Sequence, residues 1–570
     1  MDSVVLPKQQ IALRLPSGMY KLVAITPNTS VSLGKFGSFQ ANQIIGRPFH
    51  VTYEILNEPS EDGHSLRIVP AAELHAEALI TEGSGEADGM LEETDAANGE
   101  QQPMRTNRDI VDDGSAQTLT LDEIEELKKN STGAGEDIIA KLLESHSAID
   151  KKTVFSLAKY KLRKEKKYLK RFTVLPMDVN LLTDYMLERK ELNRTMELRH
   201  EIIGLIGCWG NVHNSGNSRL ENLKPSGRYL VADDTGGLVV AAMAERMGIL
   251  YPSQSSDAEE NGDNSEQDHI TSGNTNGTED NGERQAGSKV SQRIKIQGMA
   301  AVENTITVIH PYSQANLVLL KQFGFDIDEP DSSHPLYDHL KTVSWLQLVE
   351  PGADNMYSEE PETLSEEKLK TLKPRQRGTY HRKHARWLRV KRVVDEVRTG
   401  GYDGLIVASH MDPDSILKHA VPLLTGGASV VVYSPTVEQL TKLMDQYSSN
   451  RRAAYINRKT ALEKERQNIN TEDMDVDLPS IESELSSEFP LDPTLILAPM
   501  LQTSRVREWQ ALPGRTHPLM TGRGNAEGYI FHGTRVIPPS GRIQARGISN
   551  RKKRKLDTGT PEDVPTPAAA

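Results

Sequence analysis

The chain has 570 residues, 67 Lys and Arg against 80 Asp and Glu for a formal charge of −13, and only 36% hydrophobic and 5% aromatic residues. Its single cysteine, Cys208, excludes a disulfide framework and a structural zinc site, because each needs several ligands close together. No run of about 18 apolar residues is present to span a membrane, the first ten residues lack the apolar core of a secretory signal, and the lean composition predicts that part of the chain is unfolded.

Residues 1–80 hold short strand patterns. Positions 10–15 alternate, 20–25 are apolar-rich, and 51–56 and 66–69 follow, with turns such as Pro27-Asn28 and Asp62-Gly63 between them. They predict a small antiparallel β-barrel. Residues 81–118 read as a disordered acidic insertion, since 82–113 has ten acids, two bases and little apolar surface to offset ordering entropy. A helical basic connector spans 119–180. It opens with a helix over 119–129, for which Thr120 and Glu123 form a capping box. Within it, 151–171 carries ten Lys/Arg and one Glu. There Phe155, Ala158, Leu162, Leu169 and Phe172 recur at helical steps, which leaves the lysines the other faces.

From residue 181 strands and helices alternate. Residues 181–252 begin a Rossmann-like domain with the buried strand 228–234, the turn Thr235-Gly236-Gly237 and an Ala-rich helix over 238–247 stopped by Gly248. Residues 253–292 are a second disordered insertion, with nine acids and two bases over 253–290. The domain continues over 293–450 with strand 305–309, helix 313–323, strand 342–349, strand 403–409, helix 414–424, strand 428–433 and helix 437–447. A second basic block, 373–392, carries nine Lys/Arg, His381 and His384 and no acid, with Tyr380 and Trp387 interleaved. Residues 451–492 read as an acidic insertion, and 493–540 supply the last strands, 495–498 and 528–536. The tail 541–570 reads as disordered and basic, with a nuclear-localisation signal at Arg551-Lys552-Lys553-Arg554-Lys555. The fold class is therefore α/β: the small barrel followed by a seven-stranded, doubly wound, methyltransferase-like sheet with an antiparallel end.

Net charge misleads about partners. The three acidic windows (82–113, 253–290 and 472–492) carry −8, −7 and −8 against −13 for the whole chain, so the remainder is net basic at +10. Excess cations on rigid helices attract phosphate, since each neutralised phosphate releases counterions. The basic blocks contain almost no acids for local i,i+4 pairing, which favours phosphate contact over a merely solvated face.

In a methyltransferase of this fold, an acid ends the first strand and a glycine-rich loop of the form acid-x-Gly-x-Gly-x-Gly lets the backbone approach S-adenosylmethionine. Here the loop reads Asp233-Asp234-Thr235-Gly236-Gly237-Leu238-Val239-Val240, with Thr, Leu or Val at expected glycines. The second strand ends Val308-Ile309-His310-Pro311, without the carboxylate that binds a ribose. The cofactor site is degenerate, and Gly236-Gly237 reads as a tight turn with close helix–sheet packing. Asp412, after strand 404–409, stands where a catalytic base could act, although Asp412-Pro413 is more simply a helix N-cap followed by Pro at N1. The glycines over 522–528 follow no strand and open no helix, so they are no phosphate loop. Cys208 reads as buried core.

Several segments together resemble a known family. They are Gly34-Lys35-Phe36-Gly37-Ser38-Phe39, Ile44-Ile45-Gly46, Val51-Thr52-Tyr53-Glu54-Ile55, the Lys-rich helix through Tyr160 and Lys161, Asp234-Thr235-Gly236-Gly237-Leu238-Val239 with Glu245-Arg246-Met247-Gly248, and the run from Gln510 to Met520. In order, they resemble the non-catalytic subunits of the eukaryotic tRNA (adenine-58-N1)-methyltransferase. The resemblance implies a homologous catalytic partner that binds S-adenosylmethionine, a two-plus-two heterotetramer, tRNA as ligand, and no catalytic, cofactor or metal residue in this chain. The barrel and the two basic blocks are the expected tRNA contacts, with Lys161, Lys164, Lys166, Lys167, Arg382, Lys383 and Arg386 as the leading candidates and Tyr380 or Trp387 available for stacking. The competing readings are an active RNA methyltransferase with an atypical cofactor loop and Asp412 as base, and a scaffold with no RNA role.

Overall fold

The computed structural model describes residues 4–60, 63–74, 118–130, 135–147, 154–189, 191–214, 227–251, 304–469, 480–504, 506, 509–512, 515–518 and 526–538. The windows 82–113 and 253–290, positions 472–479 and 522–525, and the basic run 551–555 lie outside the described residues.

Alternating apolar residues build the N-terminal sheet from β1 (Gln10–Arg14), β2 (Tyr20–Ala24), β5 (Thr52–Ser60), β6 (Gly63–Ile68) and β7 (Arg171–Pro176). The order is β2-β1-β7-β5-β6, all antiparallel, and β3 (Ser30–Ser32) and β4 (Ser38–Gln40) form a separate hairpin against β6. In place of the expected barrel this is a sheet whose edges β2 and β6 are not paired with each other among the described residues. One face covers a core of Ile11, Leu13, Phe39, Tyr53, Phe172 and Val174, with the Phe39 and Phe172 rings stacked 4.6 Å apart. Ala12, on the other face of β1, packs into the core of the large domain.

The central strand β7 was expected inside a helical connector. It pairs with β1 on one side and β5 on the other, and it carries a buried cation: Arg171 Nε donates to buried Glu54 Oε1 at 3.1 Å and Nη2 to Glu73 Oε1 at 2.8 Å, and the guanidinium also pairs with Glu136. The residues before it form α1 (Leu121–Asn130), α2 (Glu136–Glu144) and α3 (Val154–Tyr168), which share a small core of Ile138, Ile139, Leu142 and Tyr168. The capping box is present at α1: Thr120 N donates to Glu123 Oε2 at 2.8 Å and Glu123 N to Thr120 Oγ1 at 3.3 Å. Phe172 belongs to β7, so the apolar stripe of α3 stops before it.

Helices α4 (Val179–Glu188) and α5 (His200–Trp209) lead into a seven-stranded mixed sheet of β8 (Arg228–Asp233), β9 (Thr305–His310), β10 (Leu340–Ser344), β11 (Tyr402–Ala408), β12 (Leu424–Ser434), β13 (Ile496–Gln502) and β16 (Tyr529–Arg535). Its order is β10-β9-β8-β11-β12-β16-β13, with only β16 antiparallel to its neighbours. Hairpin β14 (Trp509–Leu512) and β15 (Arg515–Pro518) forms a separate two-stranded sheet that touches α3. The central strands carry apolar stretches, such as Tyr229–Ala232 in β8 and Leu405–Ala408 in β11, because both of their faces are covered. Tyr229, Val231, Val308 and Ile406 face α4, α5 and α6 (Leu238–Met247). Leu230, Ile309, Val343 and Leu405 face the helix α8 (Pro374–Thr399), with α9 (Pro413–Ala420) and α10 (Glu438–Gln446). A short helix α7 (Asn355–Ser358) precedes α8.

Three segments differ from expectation. Of the helix expected over 313–323, only a 3-10 segment at Val318–Phe323 forms. The strand expected over 342–349 stops at Ser344, whose hydroxyl accepts from Gln347 N at 3.2 Å while Gln347 Oε1 accepts from Ser344 N at 3.0 Å. That box starts a helix at Trp345. Residues 451–492, expected as an acidic insertion, include α11 (Ser449–Ile469) and α12 (Ile481–Glu488). Leu462, Leu485 and Leu491 are buried there, and Arg458 lies 3.1 Å from Glu488 and Arg466 3.5 Å from Glu484, so the segment has apolar anchors and ion pairs that a count of its acids does not reveal.

Candidate functional site

The crevice at the carboxyl ends of β8, β9 and β11 is where a fold of this kind takes its ligand. Strand β8 is fully buried and delivers Asp233 into the turn that opens α6. That carboxylate is spent on its own turn. Oδ1 accepts from Thr235 N at 2.6 Å and from the Thr235 hydroxyl, and Oδ2 accepts from Val240 N at 3.2 Å. Burial pushes Asp233 up to about 6, with the hydrogen bonds from Thr235 and Val240 opposing it. Asp234 turns the other way, toward the end of β11: its Oδ2 accepts from the Ser409 hydroxyl and from His410 N at 2.9 Å, and its N–H donates to Ala408 O at 2.8 Å.

The glycines serve packing. Gly237 has φ +92°, and a Cβ there would stand 3.1 Å from Leu317 Cα. Gly236 accepts from Leu319 N at 3.0 Å. Leu317 and Leu319 are buried against this turn. A ligand approaching the backbone of Gly236 and Gly237 would have to displace them. At the end of β9, buried His310 donates through Nδ1 to Tyr312 O at 2.8 Å, and burial lowers its pKa.

Asp412 stands at the N-cap position of α9 with Pro413 at N1, but its side chain makes no capping hydrogen bond. It is exposed, 3.8 Å from Lys442 Nζ, which pairs more closely with Asp414 at 2.8 Å. Such a carboxylate, facing solvent and a lysine, has neither the burial nor the orientation of a base. Cys208, expected in the core, is exposed. Ile202, Ile203 and Ile206 occupy the inward face of α5 and leave Cys208 on the outer one. Among the described residues no group of three or more His, Cys, Asp or Glu is arranged to hold a metal ion.

The seven basic candidates fall into two separate groups. On α3, Lys161 pairs with Glu165 at 3.8 Å, so this block does contain one i,i+4 pair. Lys164 lies 4.9 Å above the Tyr160 ring and Lys167 5.2 Å from Tyr168. Lys166 is exposed on the rim of a cavity of about 470 Å³ between α3 and the N-terminal sheet, which Arg14 also lines. On α8, Arg382, Lys383 and Arg386 are exposed and line one cleft of about 630 Å³. Helix α3 belongs to the N-terminal body, whereas α8 covers the face of the large sheet opposite α5 and α6.

Trp387 is not available for stacking. It is 7% exposed, its Nε1 donates to Tyr357 O at 3.1 Å, and Lys391 lies 4.7 Å from its ring. Tyr380 is half-buried, accepts from Leu364 N at 3.2 Å and stacks near His384. Sequence reasoning missed the anchor of α8. Glu396 accepts from Lys341 Nζ at 2.6 Å and Arg228 Nη2 at 3.2 Å, all three being buried. Nothing in local spacing joins residues on three elements. It also missed Leu317 and Leu319 as the cover of the glycine turn.

Residues 4–373 match the model of the Gcd10p family. Two similar proteins, from Aspergillus fumigatus and Schizosaccharomyces pombe, are each named tRNA (adenine(58)-N(1))-methyltransferase non-catalytic subunit trm6. The first is 56% identical over all of this chain and 98% of that protein, the second 28% identical over 97% and 96%. A tRNA (m1A58) methyltransferase TrmI from Aquifex aeolicus superposes only loosely, with TM-score 0.35 and 10% identity over 94% of this chain and 100% of that one.

Proposed function

The chain belongs to the Gcd10p family, and from that premise we propose that it is the non-catalytic subunit of a tRNA (adenine-58-N1)-methyltransferase. It supports a homologous catalytic subunit that binds S-adenosylmethionine, and it contributes tRNA contacts rather than chemistry. The observation that carries this reading is the turn after β8: both aspartates are committed to protein hydrogen bonds, and Leu317 and Leu319 lie against the glycines. The residues do not fit the cofactor, so this chain is assigned none. The active-methyltransferase alternative loses its base, because Asp412 is an exposed partner of Lys442.

The tRNA contacts assigned to this chain are Lys161, Lys164, Lys166 and Lys167 on α3 and Arg382, Lys383 and Arg386 on α8. RNA would be held mainly by backbone and shape. The assembly is a two-plus-two heterotetramer with the catalytic subunit, and the basic run 551–555 directs it to the nucleus. Co-purification with the candidate catalytic subunit tests the reading. The two chains together should methylate tRNA, neither should do so alone, and Asp412→Ala should leave turnover unchanged. Methylation by this chain alone would refute it.

A further inference from the structure

The amino-terminal half of α8 stands clear of the protein core. Residues 374–386 include no buried residue, and burial begins at Trp387 and continues with Val393, Val394 and Val397. The segment carries cations without a single acid. Where it meets α7, an open cleft of about 630 Å³ forms, within the size range of sites that enclose one small ligand, roughly 300–1,000 Å³. Its lining combines two chemistries. Met356, 40% exposed, and Pro361 give its apolar lining beside the nearly buried Trp387, while Arg382, Lys383 and Arg386 line it from α8. Exposed Glu359 adds an acceptor at the rim.

The walls are fixed to each other before any ligand arrives. Trp387 Nε1 donates to Tyr357 O at 3.1 Å, and the Tyr357 hydroxyl donates to Asp395 at 2.8 Å. Asp354 caps α7 through Met356 N at 3.1 Å and is itself held by Gln347 at 2.7 Å. A preformed cleft loses little freedom on binding.

We propose that this cleft receives one unpaired nucleotide of the bound RNA, its base against Met356 and its phosphate on Arg382, Lys383 and Arg386. The inference rests on the tRNA-binding reading above and adds to it the kind of RNA feature recognised. A continuous duplex presents phosphates to the three cations but nothing to the apolar lining, and it would bring phosphate toward Glu359. An unpaired nucleotide supplies a base face for the apolar lining, amino or imino hydrogens for the Glu359 carboxylate, and a phosphate for the cations.

The test uses the full chain in complex with its catalytic partner. Binding is measured across a salt series for two probes, a tRNA transcript and a blunt RNA duplex without unpaired nucleotides. Met356→Ser should weaken tRNA binding about fivefold through lost apolar burial of the base, leave duplex binding unchanged and leave the salt slope unchanged. Arg386→Gln should weaken both probes and lower the slope by about one. Met356 is exposed, so its replacement leaves the fold intact, and unchanged thermal unfolding checks this. An equal loss on both probes, or no loss on tRNA, overturns the proposal while leaving the tRNA-binding reading standing. Competition by uridine 5′-monophosphate at micromolar concentration also overturns it, because the cleft would then serve free nucleotides. A wild-type complex with no affinity for tRNA refutes the earlier reading itself.

Discussion

Replacing Asp233 by Asn isolates the role of the turn after β8. The buried carboxylate is pushed from 3.8 up to about 6 because burial disfavours its charge, while the bonds from Thr235 and Val240 limit the rise. The native state therefore holds this proton more tightly than the unfolded chain. Stability from this group is fully present below about pH 4 and is lost as pH rises through about 6. With those two values the contribution changes by about 2 kcal/mol between about pH 7.5 and pH 4.5. Asp233→Asn cannot titrate. Because an amide offers one acceptor oxygen where the carboxylate uses two, the variant also loses a buried hydrogen bond, a constant offset of about 1–3 kcal/mol. Urea unfolding of both proteins, followed by near-ultraviolet circular dichroism at several pH values, gives the difference directly. The advantage of wild type should grow by about 2 kcal/mol on acidification and be flat above about pH 7. A difference independent of pH would show that Asp233 is solvated, with room beside it for a ligand, and would refute the reasoning.

Other outcomes follow from the same geometry. Gly237→Ala should cost about 1–3 kcal/mol in urea unfolding, since it combines φ +92° with a Cβ 3.1 Å from Leu317 Cα. Glu396→Gln should cost about 3–5 kcal/mol and lower the thermal midpoint, because Lys341 and Arg228 are left buried without their counter-charge. Combined charge reversal of Lys164, Lys166 and Lys167 to Glu should weaken tRNA binding and flatten its salt dependence. No change in either would favour a scaffold without an RNA role.

Much of the large domain could be read from the chain because strands buried on both faces carry continuous apolar runs, as in Tyr229–Ala232 and Leu405–Ala408. The capping box of Thr120 and Glu123 is likewise a local signal. β7 was hidden because the lysine-rich block dominates its neighbourhood, and the carboxylates that bury Arg171 lie 117 and 98 residues away at Glu54 and Glu73. At the turn after β8, the missing glycines were visible in sequence, whereas the cover of Leu317 and Leu319 exists only through tertiary contact. Trp387 and Cys208 exchanged their expected environments for a similar reason. An aromatic among cations reads as exposed and a cysteine among isoleucines as buried, yet which face of α8 or α5 points inward is set by the sheet beneath.

On the proposed function, cofactor binding belongs to the partner and not to this chain. Calorimetric titration of S-adenosylmethionine into the isolated chain, the isolated catalytic subunit and the assembled complex tests it most directly. No binding heat is expected for this chain alone, and one site per catalytic subunit is expected in the complex. Saturable binding to the isolated chain, or a second class of sites in the complex that vanishes with Gly237→Ala, would contradict it.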